Sequence, residues 1–152
     1  MPDLLGFLAC EKVIYERDTN KASIVSVLHD IYVPVIRSVQ VPASTLAPLN
    51  WCAYTMWHQT PTDGNSWWEQ VVMLVGDQGE TLLQSDPLRF QMSHRVMRVT
   101  SNFSNIPVYR ESQCNLKLYI RNLGPLPDLA PTAQWQEMMS YPIALHHTYY
   151  PS

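Results

Sequence analysis

Leu4–Tyr15 (LLGFLACEKVIY), Glu16–Lys21 (ERDTNK) and Ala22–Val33 (ASIVSVLHDIYV) run apolar, polar, apolar. Two apolar-rich arms around a short polar bridge describe a long amphipathic β-hairpin, and a hairpin of this length sets the fold class. The rest of the chain keeps the same two-residue period. Asn115–Asn122 alternates most cleanly, with Leu116, Leu118 and Ile120 on one side and Lys117, Tyr119 and Arg121 on the other. That is a strand with one buried and one wet face. In Trp51–Thr60 neither face is plainly polar, which places the strand inside a sheet or under a loop. Trp68–Val75 is dense in β-formers and ends at Gly76-Asp77-Gln78-Gly79. This turn returns as Thr81–Gln84, because glycine accepts positive φ at no steric cost. Arg89–Phe103 reads as one or two strands broken near Ser93-His94, with Val96, Val99 and Phe103 toward the core.

The twelve prolines fall mostly between apolar runs. Proline cannot donate to a ladder, so they are expected to mark strand boundaries. One stretch invites a helix: Thr132–Met139 holds fair helix formers. The competing reading is a strand from Gln134 to His147 with a kink at Pro142, and the extended character of Tyr141–Leu145 tips the balance toward it. Short strands at this spacing, with no room for intervening helices, predict an all-β, two-sheet antiparallel β-sandwich. It is expected to be immunoglobulin-like or related, with about seven to nine strands and at most one short helix.

The 152 residues suit a single domain, 1–152, since domains commonly run to roughly 100–150 residues. Charged residues make up 15%, against roughly 25% in an average soluble domain. A surface so poor in charge suits a protein partner or self-association. The net charge is −3, and the densest basic stretch, Arg89, His94, Arg95 and Arg98, is short. Nucleic acid is not an expected partner. Met1-Pro2-Asp3 lacks a basic leader, Leu4–Cys10 is too short for a secretory core, and no run approaches the ~20 apolar residues that span a bilayer. A cytoplasmic protein without membrane contact is expected. Cys10, Cys52 and Cys114 show no zinc-ligand spacing. They read as three buried reduced thiols, with one disulfide and a spare thiol as the alternative.

Gly6-Phe7-Leu8-Ala9-Cys10-Glu11, Asn20-Lys21 and Ser23-Ile24-Val25-Ser26-Val27-Leu28-His29-Asp30-Ile31-Tyr32-Val33-Pro34 resemble the opening hairpin of a family of small uncharacterised bacterial proteins that carry one domain of unknown function. Val71–Glu80 and Cys114–Arg121 resemble that family's later strands more loosely. Cys10 and Glu11 depart from its pattern, as does Ser26, which stands where the family has Gly. The resemblance implies a bacterial β-sandwich and assigns no functional residue.

No Gly-x-Ser-x-Gly elbow, phosphate-cradling glycine loop or His-Glu-x-x-His motif occurs, so neither an enzyme nor a cofactor is expected. His146 and His147 are adjacent, and adjacent strand residues face opposite ways, so no metal site is expected of them. Asp30 reads as a site carboxylate or, more simply, as a strand-end acid bonded to local backbone or an Arg. The aromatic residues stand above background. Trp67-Trp68 follows the polar loop Thr60–Ser66, and one of the pair faces outward. With Asp63 and Asn65 it forms a candidate ligand or partner surface for a sugar ring or an apolar patch; alternatively Trp67 folds back over the end of the sandwich. Tyr149 and Tyr150 form a candidate oligomer arm or a frayed tail. The expectation is a non-catalytic interaction or structural module, self-associating or protein-binding. The alternative is a β-sandwich that binds carbohydrate or a small ligand near residues 60–68.

Overall fold

The computed structural model describes residues 1–19, 21–36, 42, 45–125 and 133–150. They form an all-β fold of two sheets, one of them curled into a half-barrel. The strands are β1 (Asp3–Tyr15), β2 (Ala22–Val27), β3 (Asp30–Ile36), β4 (Leu46–His58), β5 (Trp67–Val75), β6 (Thr81–Gln84), β7 (Leu88–Gln91), β8 (Val96–Pro107), β9 (Ser112–Gly124) and β10 (Gln136–Tyr150). No helix occurs among the described residues. The first sheet has the order β2-β1-β4-β8, and the second β3-β10-β9-β5-β6, with β7 also paired to β5.

Leu4–Tyr15 and Ala22–Val27 form the expected hairpin, in register from Tyr15↔Ala22 to Cys10↔Val27. The second arm ends sooner than its apolar pattern suggested. Ser26 adopts φ 52°, and the Leu28 N–H makes a last bond to the Ala9 carbonyl (2.8 Å). The chain then crosses to the other sheet, where Asp30–Ile36 pairs with β10. One long predicted arm is thus two strands in two sheets. This split and the short β6 and β7 bring the count to ten among the described residues, above the seven to nine expected. The β3–β10 pairing is parallel, which corrects the purely antiparallel expectation. A parallel pair needs a long crossover, and here most of the chain separates the two strands.

Leu116, Leu118 and Ile120 are buried on β9 as their alternation required. Opposite them lie Trp51, Ala53 and Trp57 of β4, with Phe7, Phe103 and Ile106. β4 is central, between β1 and β8, which explains why neither of its faces reads as polar. Its second face carries a small cluster of its own: Cys10, Cys52 and Tyr54, with Leu8, Val13, Ala22 and Met56. On β8, Val99 and Met97 pack against the core alongside buried Phe103, and Met97 takes the place expected of Val96.

The two sheets are joined by hydrogen bonds as well as by apolar contact. Gln70 of β5 is fully buried. Its Oε1 accepts from Trp57 Nε1–H (3.0 Å) and lies 3.0 Å from Thr55 Oγ1, while its Nε2 donates to Ser101 Oγ (3.3 Å). An indole N–H can only donate, so it fixes which end of the Gln70 amide faces it.

Among the described residues Pro34 and Pro48 lie inside strands and not at the boundaries expected, and Pro142 lies inside β10, where the strand reading put it. Pro34 sits on β3, a sheet edge. Pro48 lies on β4 beyond the reach of β1. Pro142 of β10 faces Asn115, but β3 begins pairing only at Ala144. Each lies where the sheet is open on one side, so its missing N–H breaks no ladder. The candidate helix is not formed: Gln136–Met139 belong to β10, and Thr132 lies outside the described residues. The ladder irregularity in β10 falls between Glu137 and Met139, not at Pro142.

Candidate functional site

β1 and β4 pair from Asp3↔His58 as far as Cys10↔Cys52 and then part. Beyond that point β1 continues to Tyr15 beside β2 alone, and β4 has only β8, with a bulge between Pro48 and Trp51. A bulge bends its strand and raises local twist, which separates the two strands. The split leaves a cleft of about 450 Å³. Glu11, Lys12, Val13 and Tyr15 form one wall; Asn50, Trp51 and Cys52 form the other, with Thr100, Asn102 and Phe103 behind them. Tyr15 and Thr100 close its far end with a hydroxyl–hydroxyl hydrogen bond. Trp51 and Phe103 stack beneath it at 4.3 Å, and the Trp51 indole N–H donates to the Asn105 carbonyl (2.9 Å). The exposed side chains of Glu11, Asn50 and Asn102 have no hydrogen-bond partner among the described residues. A second hollow of about 330 Å³ shares Glu11, Asn50 and Trp51 and extends toward Asp30 and Tyr32.

Cys10 and Cys52 meet at the inner end of the cleft with their sulfurs 3.3 Å apart. Burial and the neighbouring sulfur push the Cys10 thiol up to about 12. Burial also raises Cys52, but hydrogen bonds from Cys10 and from the Val13 backbone work against the rise. Cys114 is buried in the other sheet beside Ser112.

The residues singled out near the 60–68 loop do not form one exposed surface. Trp68 is only 5% exposed and faces the core opposite Phe90. Asp63 is buried; it accepts from the Thr60 N–H (2.6 Å) and hydroxyl (2.8 Å) and lies 2.9 Å from the N-terminal ammonium. Burial alone would raise its carboxyl, but these bonds outweigh it and hold the group below its ordinary range. Trp67 is half-buried and Asn65 exposed, with the Asn65 carbonyl taken by Gln91 Nε2 (2.8 Å). Tyr149 and Tyr150 are the end of β10, in register with Val35 and Ile36 of β3, and both side chains are exposed.

Asp30 opens β3, exposed, and meets His146 Nε2 at 2.8 Å; His146 stacks on Tyr32 at 4.9 Å. His147 turns the other way and donates Nε2–H to the Tyr109 carbonyl. Among the described residues no group of three or more His, Cys, Asp or Glu is placed to hold a metal ion, and no helix is long and apolar enough to cross a membrane.

Glu69 is a buried carboxylate that motif reading missed. Arg89 Nε (3.0 Å) and Arg121 Nε (2.7 Å) bind its two oxygens, and the Arg121 guanidinium lies 4.3 Å from the Trp135 ring centre. Burial alone would raise this carboxyl, but the two guanidinium groups hold it below its usual range. Both oxygens are occupied, so it joins β7, β5 and β9. A Glu inside the apolar run Trp67–Val75, facing arginines on other strands, was the available signal.

No family model matches the chain, and a comparison with curated proteins finds no match. The fold and the site define an all-β domain without an obvious catalytic or metal-binding constellation among its described residues.

Proposed function

We propose that this is a non-catalytic interaction module that self-associates by pairing β2 of one copy with β2 of another. The observation that carries the proposal is the character of that edge. β2 (ASIVSV) has neither a charge nor a proline, pairs with β1 alone among the described strands, and exposes Ile24 (37%) and Val27 (48%). Native sheets blunt their edges with charges, proline or very short strands, and the other edges here carry such features. Pro34 interrupts β3, Arg98 and Pro107 lie on β8, and β6 and β7 are four residues each. Like edges meeting across a two-fold axis give a closed, self-complementary contact, which would merge the two first sheets into one. Cytoplasmic residence belongs to the same proposal, and three free cysteines support it.

Sedimentation equilibrium over a range of concentrations tests the module. The wild-type chain is expected to sediment as a dimer and Ile24→Lys/Val27→Lys as a monomer of unchanged fold. A monomeric wild type at high concentration would overturn the proposal.

A second reading, binding of a polyhydroxylated small ligand, is supported by the β1–β4 cleft and not by the Trp67 loop. The cleft lies within the roughly 300–1,000 Å³ of ligand pockets, and Glu11, Asn50 and Asn102 bring one carboxylate and two amides to its mouth. Glycan-array binding that is lost on Asn50→Ala and Asn102→Ala supports it; binding untouched by both changes overturns it.

A further inference from the structure

The geometry points to Cys10 and Cys52 as a cross-strand dithiol that closes to a disulfide with a low-molecular-weight disulfide as oxidant, Cys52 entering first and Cys10 resolving. The two residues are directly opposed in the β1–β4 register, and their sulfurs already lie 3.3 Å apart. Opposed residues of an antiparallel pair have Cα atoms about 4.5–5.5 Å apart, inside the roughly 4.4–6.8 Å that a disulfide spans. Closing the bond therefore asks the two sulfurs to approach without moving the strands.

The cleft gives the pair its polarity. Cys52 is part of the cleft wall and Cys10 is not. The Cys52 thiolate attacks one sulfur of the small disulfide RSSR, and one RS⁻ leaves, taking a proton from solvent to become RSH. Cys10 then loses its proton and attacks Cys52 Sγ. The Cys52–SR bond breaks and the second RS⁻ departs, also to be protonated. Two protein thiols and one RSSR become one protein disulfide and two RSH, so the protein is oxidised by two electrons and the reagent reduced by two.

The bond would pin β1 to β4 at the point where they part, and so fix the inner end of the cleft. Linking residues 42 apart in sequence also restricts the unfolded chain, which predicts a folding equilibrium constant roughly a thousandfold larger for the oxidised form. Thiols this buried exchange slowly, and in a reducing compartment such a bond is transient, the setting in which cytosolic disulfides act as redox sensors.

Oxidised glutathione is the probe, read by intact mass and by thiol titration after denaturation. The wild-type chain is expected to lose two of its three thiols without keeping a glutathione adduct, with peptide mapping linking Cys10 to Cys52. Cys10→Ser is expected to stop at a mixed disulfide on Cys52, and Cys52→Ser to stay unmodified. The proposal is overturned if Cys114 enters the bond. It is equally overturned if Cys52→Ser takes up glutathione on Cys10 as fast as the wild type reacts. Persistence of all three thiols under a poise that oxidises the urea-unfolded chain would overturn it too.

Discussion

Gln70→Leu is the substitution whose cost can be worked from individual bonds. It exchanges a buried amide for an apolar side chain of similar size at a site where Gln70, Thr55, Trp57 and Ser101 are all sealed from solvent. The Thr55 hydroxyl has one proton and a second acceptor, the Val99 carbonyl at 2.9 Å, so it loses little. The Trp57 indole N–H has only Gln70 Oε1, at 3.0 Å. Stranding a buried donor costs about 1–3 kcal/mol. Ser101 gives up a longer bond of 3.3 Å, which adds up to about 1 kcal/mol. The expected loss is therefore about 1–4 kcal/mol, read as a lower urea midpoint at unchanged slope. In a Trp57→Phe background the donor no longer exists, so the cost of Gln70→Leu should fall by about 1–3 kcal/mol. Equal cost in the two backgrounds, or a neutral Gln70→Leu, would refute the assignment of this amide as the polar link between the sheets.

The Glu69 ion pairs predict a pH signature. Its folded pKa lies below the unfolded value of about 4.3, so its stabilisation is complete above that value and is lost as pH falls through the folded pKa. Glu69→Gln should cost about 1–3 kcal/mol at neutral pH, since it removes charge-assisted bonds but leaves Arg89 and Arg121 in reach of water, and urea melts should show the gap from wild type narrowing in acid; a constant gap would contradict this. Gly79 closes the β5–β6 turn at φ 84°, where an added Cβ is strained, so Gly79→Ala should lower stability by about 1–2 kcal/mol, measured by the same melts. Val33 is buried in β3, and Val33→Ala should cost about 2–4 kcal/mol through the cavity left under β10; a thermal midpoint matching that of wild type would argue against the parallel β3–β10 placement.

The strands that were legible in the sequence have two different faces or two paired neighbours. Leu116–Arg121 announced its buried side because its other side is polar. Trp51–Thr60 announced a central position because neither side is. The break in Ala22–Val33 was not legible, since the positive φ falls on Ser26 and the crossing at Leu28-His29 has no glycine or proline to mark it. Both halves are apolar for different reasons: Ile31 and Val33 of the second enter the core, while the first leaves Ile24 and Val27 exposed on an open edge. Alternation said that one of Trp67 and Trp68 faces outward. The pairing of Trp68 with Phe90 decided which, and a contact between distant segments leaves no local pattern. The cleft is hidden for the same reason: it exists because β1 and β4 separate, and neither strand's own sequence reports where its partner stops.

Amide hydrogen exchange resolved along β2 tests the edge pairing most directly, because backbone groups that bond across copies are protected only when copies meet. Protection of Ala22–Val27 is predicted to rise with protein concentration while that of β8 stays constant. Exchange of β2 that is independent of concentration, or protection that grows at β3 or β8 instead, would contradict the account.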